Sequence, residues 1–534
     1  MEYNIKTFSQ TKLITYTIFF ILIVDNFTFF SNTLKVYPLY DNFGFLISIF
    51  LLLLCLNTLL LTILSSKYTT KPILIIIVIT SAMTNYFINS YNVVIDQSMI
   101  RNMLQTNLHE SLDLLSINQV LYFIFLGLIP SVIIWKSNIE YKSLKLELFQ
   151  KIRIIFIALI VIVGSLYLFS KHYTSFLREH KPLRYTINPT YWIYSAGDFI
   201  NRTFNNGKLI VKQHGLDATI VNNTNSNVKK IIIMVVGEAS RADHFGLNKY
   251  AKNTTPLLEK KDIINLSNVS SCGTSTAESV PCMFSIFNRG DYSYKKGISN
   301  ENVLDILNHT NQISILWRDN NSDSKGVALR VPYQDYKTSK NNTICIDGEC
   351  RDEGMLIGLD KYIEKQNDKN ILIVLHQMGN HGPAYYKRYT KKFEIFKPIC
   401  KTNQLEQCTK EEISNAYDNA ILYTDYFLSK TIEFLKQYDN THETALIYMS
   451  DHGESLGENG IYLHGLPYFM APSSQTHISS LLWFGTKMKS VIDTKNIKIN
   501  SDKKLSQDNL FHTLLGIFNI KTKEYKKELD MLVL

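Results

Sequence analysis

Residues 229–240 read KKIIIMVVGEAS, and this stretch decides the fold of the second half of the chain. An apolar, β-branched run that ends at a glycine is typical of a strand buried in a parallel sheet. Three later runs have the same character: ISILW, NILIVLH and TALIYMS. Helical segments such as EEISNAYDNAILYTDYFLSKTIEFLKQY lie between them. Strands that alternate with helices predict a doubly wound α/β domain over residues 228–534.

Side chains with useful chemistry follow the ends of these predicted strands. Glu238 follows the first strand, and Asp451 and His452, in SDHGESLGENG, follow the last. His376 and His381 follow the strand NILIVLH. Because sites in such sheets form beyond the carboxyl ends of the strands, these side chains are expected to converge at one edge.

A threonine completes the set. Thr276 lies in SCGTSTAESVPC, where a strand-to-helix turn can place its hydroxyl at a helix N-terminus that favours a phosphate. The simpler interpretation is that Ser275 or Thr276 only caps that helix. Two carboxylates, an imidazole and a hydroxyl are, however, the ligands of a zinc site that activates a threonine. His464 and Lys325 could hold phosphate oxygens or protonate a leaving group, although Lys325 alone would more often be a solvated loop residue.

The first third of the chain is predicted to be membrane. Five apolar runs are each long enough to cross a bilayer as a helix, and they are too many for a soluble core of 171 residues. The first run contains Asp25 and Asn26 and lacks a cleavage site, so we interpret it as a retained helix and not a signal peptide. The runs cover residues of about 13–30, 44–64, 72–90, 119–135 and 154–170.

Loop charge predicts the orientation. A cytoplasmic N-terminus places nine basic residues inside, against only Lys35 and Arg101 in the two external loops. The inner residues are Lys6, Lys12, Lys67, Lys71, Lys136, Lys142, Lys145, Lys151 and Arg153. Everything after residue 171 is then external. Part of the formal net charge of +9 comes from basic residues that the predicted topology places in the cytoplasm, so this charge does not require a nucleic-acid partner.

These patterns divide the chain into three parts: a five-helix transmembrane domain over 1–171, a connector with an amphipathic helix over 172–227, and an external domain over 228–534. Six of the seven cysteines lie in the external domain, in close pairs. Six cysteines allow fifteen pairings; local pairing is the simplest, and a metal cluster is the rival interpretation. An oxidising compartment favours disulfides. The pairs are Cys272 and Cys282, Cys345 and Cys350, and Cys400 and Cys408.

Several stretches together resemble the phosphoethanolamine transferases of Gram-negative inner membranes, a family that includes lipid A-modifying and colistin-resistance enzymes. The resemblance covers nearly the whole chain. The stretches are VVGEASRADHFGLNKY, SCGTSTAESVPCMFS, HQMGNHGPAYYKRY, YDNAILYTDYFL, SDHGESLGENGIYLHGLPY and the loop VVIDQSMIRNMLQTNLHESLDL. It implies an alkaline phosphatase/sulfatase-type fold on a five-helix anchor, with the external domain in the periplasm.

The resemblance also implies roles for single residues. It makes Thr276 the nucleophile and a zinc ligand together with Glu238, Asp451 and His452. It gives Lys325, Ser322, His381 and His464 to phosphate handling, with the two histidines as ligands of a second zinc. It assigns Asn102, Thr106 and Glu110 to the lipid donor, and their i, i+4, i+8 spacing fits one helix face. His477 is a candidate substrate-binding residue or a packed polar residue. The six external cysteines match three family disulfides.

The implied reaction moves phosphoethanolamine from phosphatidylethanolamine to Thr276 and then to an acceptor, with lipid A expected over core sugars, periplasmic glucan or a protein. We expect a monomer. Ser240, Glu278 and Ile478 depart from the family pattern, and Glu278 bears on acceptor choice. A phosphoglycerol transferase is the alternative activity. A sulfatase is disfavoured because SVPCM lacks the required arginine, and a receptor or scaffold gives no reason for the strand-end residues to coincide.

Overall fold

The computed structural model describes residues 7–105, 114–178, 180–204, 210–221, 228–346, 348–366 and 368–533. The chain forms two compact units. The membrane unit is Met1–Ile100 with Leu115–Asn201, and the catalytic unit is Arg101–Leu114 with Arg202–Leu534.

The membrane unit is helical. In chain order its described helices are α1 Gln10–Val24, α2 Phe27–Val36, α3 Leu39–Leu64, α4 Thr70–Tyr91, α5 Gln97–Gln105, α6 Ile117–Lys136, α7 Leu144–Leu168, α8 Ser170–Arg178, α9 Lys181–Arg184 and α10 Thr190–Phe204. Four of these helices, α3, α4, α6 and α7, are long and apolar enough to cross a membrane. The pair α1 and α2, bent by 60°, makes a fifth span if it is one crossing. Residues 101–105 of α5 belong to the catalytic unit.

The first apolar run, expected as one helix, is broken at Asp25 and Asn26. The buried Asn26 amide donates to the carbonyls of Ile21 (3.0 Å) and Asn188 (2.6 Å), and its oxygen accepts from the Asn188 backbone N–H (2.8 Å). Asn85 donates to the Asp25 carboxylate at 2.9 Å. A side chain that satisfies backbone groups in this way replaces helical hydrogen bonds and produces a bend.

The catalytic unit is built on an eight-stranded sheet with helices α11–α19. The strands are β1 Lys230–Gly237, β2 Ile263–Ser270, β3 Ile313–Asp319, β4 Tyr333–Asp335, β5 Asn370–His376, β6 Glu443–Ser450, β7 His477–Phe484 and β8 Leu505–Ser506, in the spatial order β8-β2-β7-β6-β1-β5-β3-β4. The helices are α11 Thr276–Met283, α12 Tyr294–Ile298, α13 Val303–His309, α14 Leu359–Glu364, α15 Lys410–Lys436, α16 Ser473–Thr476, α17 Thr486–Lys489, α18 Thr494–Ile499 and α19 Asp508–Ile517. Every residue of the central strands β1 and β6 is buried, as their unbroken apolar runs predict.

The sheet is mixed, which the sequence did not predict. Strand β7 runs antiparallel to both of its neighbours, β6 and β2, while the other pairs are parallel. The reason lies in the connection: β6 ends at Ser450, the chain stays at that edge over 451–476, and β7 starts from the same edge at His477. It must therefore run back in the opposite direction.

Candidate active site

Neighbouring strands deliver the metal-binding candidates to one edge of the sheet. Gly237, the last residue of β1, is paired in register with Ser450, the last residue of β6. Glu238 follows the first, and Asp451 and His452 follow the second. The carboxyl ends of adjacent parallel strands therefore place two carboxylates and an imidazole at the same level, as expected from sequence.

These three side chains are buried and close. His452 Nε2 lies 3.5 Å from Glu238 Oε1 and 3.4 Å from Asp451 Oδ2, and one candidate ligand atom of each lies within 4.8 Å of the others. None of the three is more than 1% exposed. Such a group is a candidate cation site.

The Thr276 side chain is directed toward the same three side chains. It is the first residue of α11, and its hydroxyl donates to Glu238 Oε2 at 3.1 Å and lies 3.4 Å from His452 Nε2. The hydroxyl thus points toward the ligands. Ser275, which precedes the helix, makes no side-chain capping hydrogen bond.

The protonation states fit a metal ion. His452 Nδ1 faces the Gly453 carbonyl at 2.7 Å, and because a carbonyl only accepts, Nδ1 carries the proton and Nε2 presents a lone pair. Within the described part of the chain, Glu238 Oε1 and Asp451 Oδ2 are buried and have no hydrogen-bond partner. Burial, and after it the Asp451 carboxylate, raises the pKa of the Glu238 carboxyl well above its usual range. Burial lowers the pKa of His452.

Two buried carboxylate oxygens with no donor are costly unless a cation compensates them. The donor set of two carboxylates, one neutral imidazole and one hydroxyl suits Zn²⁺. The residues present therefore fit the group that the sequence predicted.

Two further residues position the ligands. The Asn321 amide donates to Glu238 Oε2 (2.9 Å) and to the Gln377 carbonyl (2.8 Å), which fixes the carboxylate. Ala239 adopts the left-handed region at φ 53°, and its N–H donates to Asp451 Oδ1 at 3.0 Å. A non-glycine residue in this region marks local strain, which is common at functional sites. The sequence analysis missed both residues, although Asn321 directly precedes the candidate Ser322.

A second group of side chains adjoins the first. Ligand atoms of His452, Glu454 and His464 lie within 4.8 Å of one another. Glu454 binds His464 Nδ1 at 2.7 Å and accepts from the Tyr385 hydroxyl at 2.6 Å. The ring centroids of His381 and His464 are 5.9 Å apart. Glu454 was also missed, although it lies within SDHGES, two residues after His452.

The predicted phosphate-handling residues lie in the catalytic unit near these two groups of side chains. Burial lowers the pKa of His381 well below its usual range, with Arg388 the next contributor, so this ring is neutral at neutral pH. No described residue forms a hydrogen bond with its buried Nδ1. Lys325 has a left-handed backbone (φ 49°), and its ammonium donates to the Gln105 carbonyl at 3.4 Å. The Ser322 hydroxyl donates to the Asn321 amide oxygen at 3.0 Å.

Other predicted residues lie elsewhere or outside the described residues. His477 Nε2 donates to the Ser267 carbonyl at 2.9 Å, so this ring nitrogen is bound to strand β2. His376 is buried against Asp319 at 2.9 Å and does not belong to the ligand group. Asn102 lies on α5, whereas Thr106 and Glu110 are outside the described residues. The substrate roles of His477, Asn102, Thr106 and Glu110 stay predictions.

The cysteine pairing is confirmed. Disulfides join each local pair, Cys272–Cys282, Cys345–Cys350 and Cys400–Cys408, and Cys55 is free. The first of them ties the loop before Thr276 to helix α11.

Comparison with known proteins covers both units. The family model described as Phosphoethanolamine transferase EptA/EptB matches residues 53–204, and the Sulfatase model matches residues 230–520. Phosphatidylethanolamine transferase Mcr-2 of Escherichia coli is 41% identical over 534 residues, which are 98% of this chain and 97% of the relative. Phosphoethanolamine transferase EptA of Escherichia coli K12 is 37% identical over 524 residues, 96% and 95% of the two chains.

The same relationship appears in three dimensions. The solved structure of the integral membrane protein lipooligosaccharide phosphoethanolamine transferase A from Neisseria meningitidis matches with a TM-score of 0.94 and 33% identity, over 99% of each chain. This match confirms the fold expected from sequence, a helical membrane domain joined to a sulfatase-like α/β domain. With a match over both units in sequence and in structure, the chain belongs to the phosphoethanolamine transferase family.

Proposed function

We propose that this enzyme transfers phosphoethanolamine from phosphatidylethanolamine to a phosphate of lipid A, through a covalent intermediate on Thr276 and with Zn²⁺ as cofactor. The observation that carries the proposal is the Thr276 hydroxyl, which lies 3.1 Å from one oxygen of the Glu238 carboxylate, while the other, buried oxygen has no hydrogen-bond partner among the described residues. Glu238, Thr276, Asp451 and His452 would hold the ion. The names of the relatives support this choice. One is a phosphatidylethanolamine transferase, which agrees with the donor, and another, 25% identical over 435 residues, is a Kdo(2)-lipid A phosphoethanolamine 7''-transferase, which agrees with the acceptor class.

When bound, zinc would lower the pKa of the Thr276 hydroxyl and offset negative charge on the phosphoryl group. In the first half-reaction Thr276 Oγ1 attacks the phosphorus of the donor. The bond from phosphorus to the diacylglycerol oxygen breaks, and the proton lost by Thr276 ends on that oxygen. Phosphoethanolamine is left on Thr276, and diacylglycerol leaves.

In the second half-reaction a phosphate oxygen of lipid A attacks the same phosphorus. The bond to Thr276 breaks, and the proton given up by the attacking phosphate group ends on the Thr276 hydroxyl. Thr276 is the first residue of α11, and the N-terminus of a helix favours a phosphoryl group at that position. The added ethanolamine ammonium offsets phosphate charge, so the cell surface attracts cationic peptides such as colistin less strongly.

Side chains around the ligands would handle the phosphoryl oxygens. The Lys325 ammonium supplies positive charge, whereas His381 is neutral and acts as a hydrogen-bond partner or as a ligand of a second zinc with His464. His464 is oriented by Glu454, so it can pass a proton to a leaving oxygen. Ser322 and His477 complete the proposed substrate contacts.

The lipid donor is proposed to be held by Asn102, Thr106 and Glu110. Support comes from the start of this segment, which belongs to the catalytic unit: the Arg101 guanidinium lies 3.9 Å from the centroid of the Tyr294 ring on α12. The chain is an inner-membrane protein. We further propose a cytoplasmic N-terminus, a periplasmic catalytic domain, the three-part division made above and a monomeric enzyme.

The test is mass spectrometry of lipid A from a Gram-negative host with and without the full-length chain. We expect a gain of about 123 Da on lipid A, and the same increment on the Thr276 peptide of the isolated enzyme. Thr276→Ala should lose both signals. Thr431→Ala is the matched control, because Thr431 is a buried threonine whose hydroxyl donates to the Phe427 carbonyl within its own helix, α15.

Each alternative has its own outcome in this experiment. A gain on core sugar or glucan with lipid A unchanged would replace the acceptor, and a glycerol phosphate increment would replace the transferred group. Full activity of Thr276→Ala would refute the covalent mechanism.

A further inference from the structure

One buried glutamine connects the two loops that carry the nucleophile and the metal ligands. Gln507 directly precedes α19 and has no solvent exposure. Its amide nitrogen donates to the Ser450 carbonyl and to the Asp451 carbonyl, both at 2.7 Å. Its amide oxygen accepts from the Cys272 N–H at 2.6 Å.

These contacts allow only one orientation of the amide. Two of the partners are carbonyls, which need donors, and the third is an N–H, which needs an acceptor. Gln507 uses both of its N–H groups, and its own backbone N–H donates to the Ser270 carbonyl at 3.0 Å. The residue is therefore anchored to the end of β2 while its side chain holds the end of β6.

Both ends of this contact lead to the active site. The Asp451 carbonyl belongs to a proposed zinc ligand, and His452 follows it. On the other side, Cys272 is joined by a disulfide to Cys282 on α11, the helix that begins with Thr276. A single side chain thus fixes the backbone of the ligand loop relative to the nucleophile loop and its helix.

We infer that Gln507 is a positioning residue for phosphoethanolamine transfer, which sets the distance between the Thr276 hydroxyl and the ligand group. The inference rests on the proposed function. Gln507 acts through backbone groups and needs no contact with substrate. Outer residues that orient metal ligands typically change metal affinity or activity by 10–100-fold when lost, and small displacements of reacting groups have comparable effects on rate.

The experiment uses the full-length enzyme and the variants Gln507→Met and Gln507→Glu. Gln507→Met keeps the volume and loses all three side-chain hydrogen bonds. We expect its affinity for Zn²⁺, titrated into the metal-free protein, to fall about 10–100-fold, and kcat at saturating zinc to fall by a similar factor. The KM for the lipid donor should stay within about threefold, because the donor contacts are untouched. Gln507→Glu keeps the acceptor for Cys272 and loses both donors to the ligand loop, so zinc affinity should fall more than kcat.

Asn509→Leu is the matched control. Asn509 is a buried amide two residues along, and it also ties two loops: it donates to the Leu529 carbonyl at 2.8 Å and accepts from the Ser506 N–H at 2.9 Å. This variant should lose stability and keep zinc affinity and kcat within about twofold, because neither partner carries a site residue.

Three results would overturn the inference. One is wild-type zinc affinity and kcat in Gln507→Met, and another is an equal loss of both in Asn509→Leu. The third is failure of both Gln507 variants to fold while Asn509→Leu folds, since that would make the role structural. A wild-type enzyme that binds zinc and forms the Thr276 adduct keeps the proposed function intact in each case.

Discussion

Asn26 in the membrane unit and the pair Glu238 and Asp451 in the catalytic unit bury polar groups in opposite ways. Asn26 is satisfied at both ends of its amide by the backbone of Asn188, so the fold itself supplies the partner. Glu238 and Asp451 each bury one carboxylate oxygen that has no hydrogen-bond partner among the described residues. The first arrangement holds helices together, whereas the second leaves room for a ligand that is not part of the chain.

This contrast predicts that changes in the two places affect different properties. A substitution at the unpartnered carboxylates should remove chemistry and leave stability nearly intact. A substitution at the satisfied amide should remove stability and leave chemistry nearly intact.

The largest effect is expected for a substitution of an unpartnered carboxylate in the catalytic unit. Glu238→Gln should lower zinc affinity and reduce transfer by at least about 10³-fold, because a metal ligand and its charge are lost. The metal-free variant should be about as stable as the wild type, because burial raises the pKa of the Glu238 carboxyl and favours its neutral form when no metal is bound, and a neutral amide takes its place. Zinc titration, turnover and thermal unfolding measure the three quantities.

Asp425→Asn is the control for Glu238→Gln. Burial raises the pKa of Asp425 to about 7, and this carboxylate accepts from the backbone of Leu257 and Leu258, away from the ligand group. It should keep zinc binding and turnover. If Glu238→Gln retains zinc and activity, the unpartnered carboxylates of the catalytic unit do not serve to bind a metal ion.

The second effect separates lipid capture from chemistry. Glu110→Ala and Asn102→Ala should reduce turnover of bilayer phosphatidylethanolamine by about 10–100-fold, since binding energy from remote parts of a substrate supports the reacting centre. Zinc affinity and adduct formation from a small water-soluble donor should be unchanged. Equal losses with both donors would show instead that these residues act on the catalytic centre itself.

A third prediction concerns the membrane side. Asn26→Ala should lower the free energy of unfolding in detergent by about 2–3 kcal/mol, because it leaves buried backbone groups of Asn188 without partners. The zinc affinity of the catalytic unit should not change. Asn32→Ala is the control, since its amide oxygen accepts a surface hydrogen bond from Lys35. Loss of zinc binding in Asn26→Ala would break the comparison.

The smallest effect is a pH dependence of stability inside the catalytic unit. Burial, and then Lys526, lowers the pKa of His512 from 6.5 to about 4, and its Nδ1 accepts from the Lys526 backbone N–H. Between pH 4 and 6.5 the unfolded chain therefore binds a proton at His512 more readily than the folded chain does. The contribution of this residue to the free energy of unfolding is fully present above pH 6.5 and is lost as the pH falls toward 4. The contribution is on the order of 1–2 kcal/mol after allowance for screening.

His512→Gln should flatten that part of the stability curve, measured by chemical denaturation of the full-length protein between pH 4 and 7.5, a range chosen to bracket the roughly 6.5 reference value. His442→Gln is the comparison variant: burial lowers the pKa of this partly exposed ring with no charged neighbour contributing, so its removal should flatten the curve less than His512→Gln does. An unchanged slope in His512→Gln would assign the pH dependence to other groups.

The contrast also explains what the sequence could predict. Apolar strands ending at Gly237 and Ser450 were visible as β-branched runs, and the residues after them were correctly expected at one edge of the sheet. The reversal of β7 was not predicted, because the direction of a strand depends on where its connection lies and not on its composition. The bend at Asp25 and Asn26 was not predicted either, since Asn188, the partner that stabilises it, is remote in sequence.

The residues of the site also fall into those that the sequence could predict and those that it could not. Residues in short motifs, such as His452 and Thr276, were found from the motif and the chemistry it implies. Asn321 and Gln507 act on the site through contacts with distant segments, to Glu238 in one case and to Cys272 and Asp451 in the other. Nothing in their local sequence distinguishes such amides from those of a solvated loop.

The order of the disulfides has a consequence for biogenesis. Each bond joins a cysteine to the next external cysteine along the chain, at separations of 10, 5 and 8 residues. A polypeptide exported from its N-terminal side exposes the two halves of every bond together, before the next pair leaves the translocation channel. Oxidation in order of emergence therefore yields the native connectivity directly, and a host that has a thiol oxidant but lacks a disulfide isomerase should still produce the mature protein.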